Sequence, residues 1–173
     1  AASFGWIMVA SGLINRPWVN AYKLSLHLCI AFTVYTALLW TYLENKNQKN
    51  ISLLQIYNKS TFYFLIIFWI QLFLGGVMSG MKAGVYFTTW PTLNGEYFPQ
   101  ILFNISEWNV ENFNNYDSNL FLPSLIQFSH RIVAYLLILL GGYIFYDLIN
   151  RGVYHKIKTD ILVFISMLII QAI

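Results

Sequence analysis

The chain has 173 residues, of which 58% are hydrophobic and only 10% charged. Soluble domains carry about 25% charged residues, so the composition excludes an ordinary soluble domain and points to a membrane protein. A formal net charge of +3 says little about partners by itself. A lipid bilayer is the expected surrounding and no nucleic acid is expected as a partner, while the distribution of the charges sets the topology.

The chain opens on an apolar stretch at residues 1–14, shorter than the roughly 20 residues that a membrane-spanning helix requires. No methionine or basic segment precedes it, so no signal peptide is expected. A turn, "NRPWVN" at 15–20, leads into the first complete span at about 22–43. This span carries His27 and the sole cysteine, Cys29, which permits no internal disulfide and reads as a small apolar residue. The following segment, 44–60, holds Lys46, Lys49 and Lys59 against one acid.

A second span, about 61–81, contains Gln71, read as a hydrogen-bonding partner for another helix. It ends in "GGVMSGMKAGVYFTTWP". Gly76, Gly80 and Gly84 recur every four residues, with Gly75, Ser79 and Ala83 as a parallel small stripe. Such spacing predicts close approach of another helix or of a flat ligand. The loop at 82–122 contains Pro91, Gly95 and Pro99, which break helix, and is acidic: Lys82 against Glu96, Glu107, Glu111 and Asp117.

The third span, about 123–149, is long enough to tilt or to extend beyond the bilayer. It places His130 and Arg131 side by side in an apolar run, where ionisable groups are costly and suggest a functional site. A basic connection follows at 147–160, with Arg151, Lys156, Lys158 and a solvated His155, and then a short apolar stretch at 161–173. Both short stretches are cut by a chain end, so the sequence is expected to be a fragment.

Short loops rich in Lys and Arg stay inside. The 44–60 and 147–160 segments therefore face inward, and the acidic loop and the "NRPWVN" turn face outward. His27 lies five residues into its inward-running span and His130 seven into its own, so both sit about 7–11 Å below the outer surface. Each has alanine at i+4, Ala31 and Ala134, which leaves room for a wide, flat group such as a porphyrin. Histidine imidazoles from facing helices commonly hold haem iron in membrane bundles. Interhelical hydrogen bonding is the plainer reading of either histidine. Lys23 and Arg131 are suited to snorkelling toward headgroups or to neutralising haem propionates. Trp18, Tyr22, Tyr86 and Trp90 fit an interfacial aromatic belt. No phosphate-binding loop or zinc motif is present, and no helix carries two well-spaced histidines, so a respiratory cytochrome b fits poorly.

Four phrases in order, "GWIMVASGL" (5–13), "VNAYKLSLHL" (19–28), "GGVMSGMKAGVYFTTWPTLNGEYFP" (75–99) and "QFSHRIVAY" (127–135), resemble haem A synthase of the proteobacterial and mitochondrial type. The resemblance implies an all-α, polytopic membrane helix bundle, part of an eight-helix protein made of two four-helix bundles. The chain would run from the end of helix three into helix seven. Residues 1–43 would complete the N-terminal bundle, 44–60 would form an inner-side linker, and 61–173 would begin the C-terminal bundle.

The implied reaction oxidises a methyl group of haem O to the formyl group of haem A for cytochrome oxidase assembly, by successive hydroxylations. Haem b is the implied cofactor and haem O the substrate. His130 would be an axial ligand of haem b and His27 an axial ligand of the substrate haem iron, with Arg131 as a further cofactor-binding residue. The partner histidines and the glutamate implicated in catalysis would lie outside this chain, so no catalytic residue is expected in it. The implied partners are haem O synthase and an external electron donor, and a homo-oligomer is left open. The implied location is the bacterial inner membrane, with the mitochondrial inner membrane as the alternative. Two positions depart from the family pattern: Lys23 where arginine is common, which loses the bidentate fork, and Thr88 where asparagine is common. A b-type cytochrome subunit that only passes electrons is the alternative function, and a non-redox helical transporter a third.

The loop charges generate a topology test. In the full-length protein, cysteines placed at Lys49 and Lys156 are expected to resist an impermeant thiol reagent added outside, while one at Asn112 labels. Labelling of all three would break the assignment.

Overall fold

A computed structural model describes residues 2–10, 18–46 and 58–152, with positions 159, 162–164, 166, 167 and 170. Lys49, His155, Lys156, Lys158 and most of the 44–60 linker lie outside the described residues, as does the start of the "NRPWVN" turn. Six α-helices are described: α1 (Ala2–Ala10), α2 (Ala21–Asn45), α3 (Lys59–Gly80), α4 (Ala83–Tyr86), α5 (Val110–Asn114) and α6 (Phe121–Asn150). Two 3-10 turns, Gln100–Phe103 and Ile105–Glu107, lie in the loop before α5. Three helices are long and apolar enough to cross a membrane: α2 over Ala21–Leu43, α3, and α6. They coincide with the three runs read from the sequence, because some 20 apolar residues are a strong constraint. The described residues are thus all-α apart from one isolated bridge, Leu93 with Glu96.

Helix α3 is the central element, packing against α2 on one side and α6 on another. Its contact with α2 is made of small residues. A methyl group added at Gly76 would stand 2.8 Å from Ser25 Cα, and one at Gly80 would stand 2.6 Å from Ala21 Cα. The Ser25 hydroxyl donates to the Phe73 carbonyl at 2.5 Å across this contact. Lipid tails are as apolar as side chains, so close packing and interhelical hydrogen bonds must drive the association.

The predicted glycine stripe does not extend to Gly84. Nothing lies within 4 Å of a methyl group built there. Helix α3 stops at Gly80, and Lys82 adopts a left-handed backbone (φ 54°), which turns the chain into α4 and breaks the register. Of the parallel stripe, Ala83 is buried and Ser79 exposed.

The loop between α3 and α6 is an ordered cap. Asn20 Oδ1 accepts from the Tyr22 and Lys23 amides at the start of α2, and the buried Tyr116 hydroxyl accepts from the Ala21 amide at 3.0 Å. Helix amides that lack an intrahelical partner are thereby satisfied. Tyr22 donates to the Phe113 carbonyl, and Ala21, Val77, Met81, Tyr116, Phe121 and Leu122 form the core beneath the loop. The predicted aromatic belt is partly structural, with Tyr22 in this cap and Trp18 carrying the Lys82 ammonium 4.4 Å above its ring. At the opposite end, Asn58 before α3 donates to Asp147 on α6, which also pairs with Arg151.

The α2–α3 contact yields an expectation for stability. Gly76→Ala or Gly80→Ala forces a methyl group into backbone, which costs about 1–3 kcal/mol by overpacking. Gly84→Ala, facing open space, is expected to be close to neutral. Thermal unfolding of the full-length protein in detergent checks the contrast, and equal effects at all three positions would contradict the packing described.

Candidate functional site

Each histidine rests on a glycine of a neighbouring helix. A methyl group at Gly5 of α1 would stand 3.2 Å from His27 Cε1, and one at Gly75 of α3 would stand 3.2 Å from His130 Cε1. The two glycines open similar phrases, Gly5-Trp-Ile-Met8 and Gly75-Gly-Val-Met78. That repetition was the available signal for Gly5, which the reading of single motifs missed.

The histidines serve different helix pairs because of their register. Ser25 faces α3, and His27, two residues later, is turned about 200° away, toward α1. On α3, Gly76 faces α2 while Gly75, about 100° round the helix, faces His130 on α6. Depth follows from the same contact. With Ser25 against Gly76, His27 lies about 3 Å deeper and Gly75 about 1.5 Å deeper. The two imidazoles therefore occupy a similar level, seated on separate sides of the molecule.

His130 has a second polar neighbour. Gln71, one turn from Gly75 on α3 and 5% exposed, places its amide nitrogen 3.1 Å from His130 Nε2. Its expected interhelical bond is thus made to the candidate site itself. His27 Nδ1, His130 Nδ1 and Gln71 Oε1 are buried without a hydrogen-bond partner. Gln127 Oε1 and Ser124 Oγ, about one and two turns before His130 on α6, are unpartnered as well. Since buried polar atoms are normally satisfied, these orphans call for an explanation. Among the described residues, no group of three or more His, Cys, Asp or Glu could hold a metal ion together.

Arg131 neither points into lipid nor stands apart. Its Nη2 donates to the Thr89 carbonyl at 2.7 Å, and Nη1 donates to the carbonyls of Thr92 at 3.1 Å and Pro91 at 3.4 Å. One turn along α6, the Tyr135 hydroxyl accepts from Trp90 Nε1 at 3.1 Å. Sequence reasoning placed Trp90 in the interfacial belt and had no signal for this contact, since 45 residues separate the partners.

The family comparison matches the whole chain, residues 1–173, to the COX15-CtaA family, described as cytochrome oxidase assembly protein. The chain belongs to this family. Among curated relatives it is similar to the heme A synthase of Parvibaculum lavamentivorans, 38% identical over 136 residues, covering 78% of this chain and 37% of the relative. The heme A synthase of Nitrosospira multiformis is 34% identical over 141 residues, covering 79% of this chain and 37% of the relative. That of Pelagibacter ubique is 33% identical over 156 residues, covering 90% and 42%. The chain therefore spans about two-fifths of the length of the curated relatives it matches. No solved structure matches it. With three spanning helices and these bacterial relatives, this COX15-CtaA member is a multi-pass protein of the bacterial inner membrane.

Proposed function

We propose that the chain is part of a haem A synthase, which oxidises a methyl group of haem O to the formyl group of haem A. In this reading residues 1–43 complete one four-helix bundle and 61–173 begin a second, joined by an inner-side linker at 44–60. His130 would hold a resident haem b and His27 the iron of the substrate haem O, and the second imidazole of each pair would come from the rest of the protein.

The observation that carries the reading is the pair of glycine-seated imidazoles on opposite sides of the α2–α3 contact. The residues fit a macrocycle in three respects. Each ring has a buried Nδ1 with no protein partner, each is seated against a glycine where a methyl group would press on it, and each is followed at i+4 by alanine. A haem b held at His130 would supply one-electron transfer, with its electrons drawn from an external donor.

The chain's own residues have definable tasks. Gly5 and Gly75 fix the imidazole positions by steric contact. With its amide turned so that the unpartnered Oε1 faces the ring, Gln71 would accept the Nε2–H of His130 and leave Nδ1 free for iron, as partners of ligating histidines commonly do. Arg131 spends three N–H groups on loop carbonyls and keeps two of its five donors, enough to accept a carboxylate such as a propionate. The separation of the two imidazoles fits two separate haem sites, as the synthase reading requires.

Single substitutions in the full-length enzyme separate the two roles. His130→Ala is expected to remove or loosen haem b and to change its low-spin spectrum, since loss of one imidazole leaves iron five-coordinate or ligated by a substitute. His27→Ala is expected to impair haem O binding and haem A production while haem b stays. Optical spectra and extracted haem composition check both. Unchanged spectra and unchanged haem A in both variants would show that neither histidine is a ligand.

A further inference from the structure

The outer loop runs down one edge of α6 beside His130. Taking His130 as the origin on the helix, Ala134 lies about 40° round, Arg131 about 100°, Tyr135 about 140° and Phe128 about 160°. Three of the residues beyond Ala134 are engaged by the loop: Arg131 by the carbonyls of Thr89, Pro91 and Thr92, Tyr135 by Trp90, and Phe128 by Phe98 at 5.7 Å between ring centroids. On the other side of His130, α6 presents Ile126 and Val133 instead. On the loop side the side chains nearest His130 round the helix are the small Ala134 and the buried Gln127, about 60° round, and the loop borders them.

The bordering segment is internally braced. Thr89 Oγ1 donates to the Thr92 carbonyl and accepts from the Asn94 amide at 2.7 Å. Asn94 Nδ2 donates to the Tyr86 carbonyl, and a pair of backbone bonds joins Leu93 to Glu96 around a left-handed Asn94 and Gly95. Trp90 is the exception within this order. Its indole nitrogen is satisfied, yet the side chain is 72% exposed, a large ring held in a fixed place with little of the chain against it.

We propose that residues 89–92 form a wall of the His130 site, with Trp90 as its closing side chain and Arg131 and Tyr135 as the positioning residues that hold it there. The wall excludes water and small polar solutes from the group bound at His130. This rests on the reading of His130 as a haem ligand. Arginine is required because one guanidinium must reach three carbonyls at once; the lysine ammonium is a compact point charge without the fork.

The test uses the full-length, haem-loaded protein and the variants Arg131→Lys, Tyr135→Phe and Trp90→Phe. Backbone hydrogen exchange in residues 87–96 is expected to speed up roughly tenfold or more in Arg131→Lys, as charged hydrogen bonds are lost, and less in the other two. Exchange in residues 71–80 should stay unchanged, which verifies that the helices remain folded. Reduction of haem b by added dithionite, which needs access to the haem edge but no open position on the iron, is expected to be slow in the wild type and several-fold faster in Arg131→Lys and Tyr135→Phe. Unchanged exchange in residues 87–96 would overturn the positioning role, and faster exchange with no faster reduction of haem b by dithionite would overturn the wall. Retention of an unaltered haem b in His130→Ala would instead remove the underlying ligand assignment, while the exchange experiment still reports on the loop.

Discussion

The close contact of α2 with α3 is the constraint on which the other features rest. At Ala21, Ser25, Gly76 and Gly80 the two backbones approach until even a methyl group would collide with a Cα atom. Only small residues allow this, and in a membrane such proximity replaces the hydrophobic drive that holds soluble cores. The contact fixes rotation as well as distance. Once Gly76 must face Ser25, Gly75 must face about a quarter-turn away, where α6 brings His130. Once Ser25 must face α3, His27 must face α1. Two directions thus follow from one structural contact, in which Ser25 supplies a polar link, to the Phe73 carbonyl.

The glycines beneath the imidazoles belong to the same economy of space. An imidazole whose Cε1 corner meets a glycine has its rotation restricted on that side. A side chain at Gly5 or Gly75 would push the imidazole outward and alter the point at which it meets a ligand. Rigid placement by packing is what a cofactor site on helices demands. Gln71 adds a directional element at His130, and no described residue offers the like at His27. The two seats share a steric plan and differ in polar detail.

Much of this was legible in the sequence, for unequal physical reasons. The three spans were readable because lipid imposes a length and composition on any helix that crosses it. The histidines and Arg131 stood out because ionisable groups are rare at that depth. The glycine stripe announced close packing but not its limit, since the left-handed turn at Lys82 depends on tertiary packing and not on a glycine or proline at that position. Gln71 could be read as an interhelical donor, while its partner could not, because that depends on the rotation of α3. The links from Trp90 and residues 89–92 to α6 were invisible for a related reason. Pro91 and Gly95 indicate an ordered loop, and nothing local indicates which helix receives it.

Arg131 and the loop carbonyls solve each other's problem. Non-helical backbone near membrane depth carries carbonyl groups that lipid cannot satisfy, and it persists only where protein supplies donors. A guanidinium at the same depth needs acceptors, because leaving it unpaired is costly. Placing Arg131 directly after His130 lets one helix turn provide both an imidazole for the site and the donor that brings the loop down beside it. The loop's position is thereby tied to the histidine's own rotation: a turn of α6 that moved His130 off Gly75 would also pull Arg131 from residues 89–92. The adjacency that looked anomalous in an apolar run is a mechanical coupling between the floor of the site and its edge.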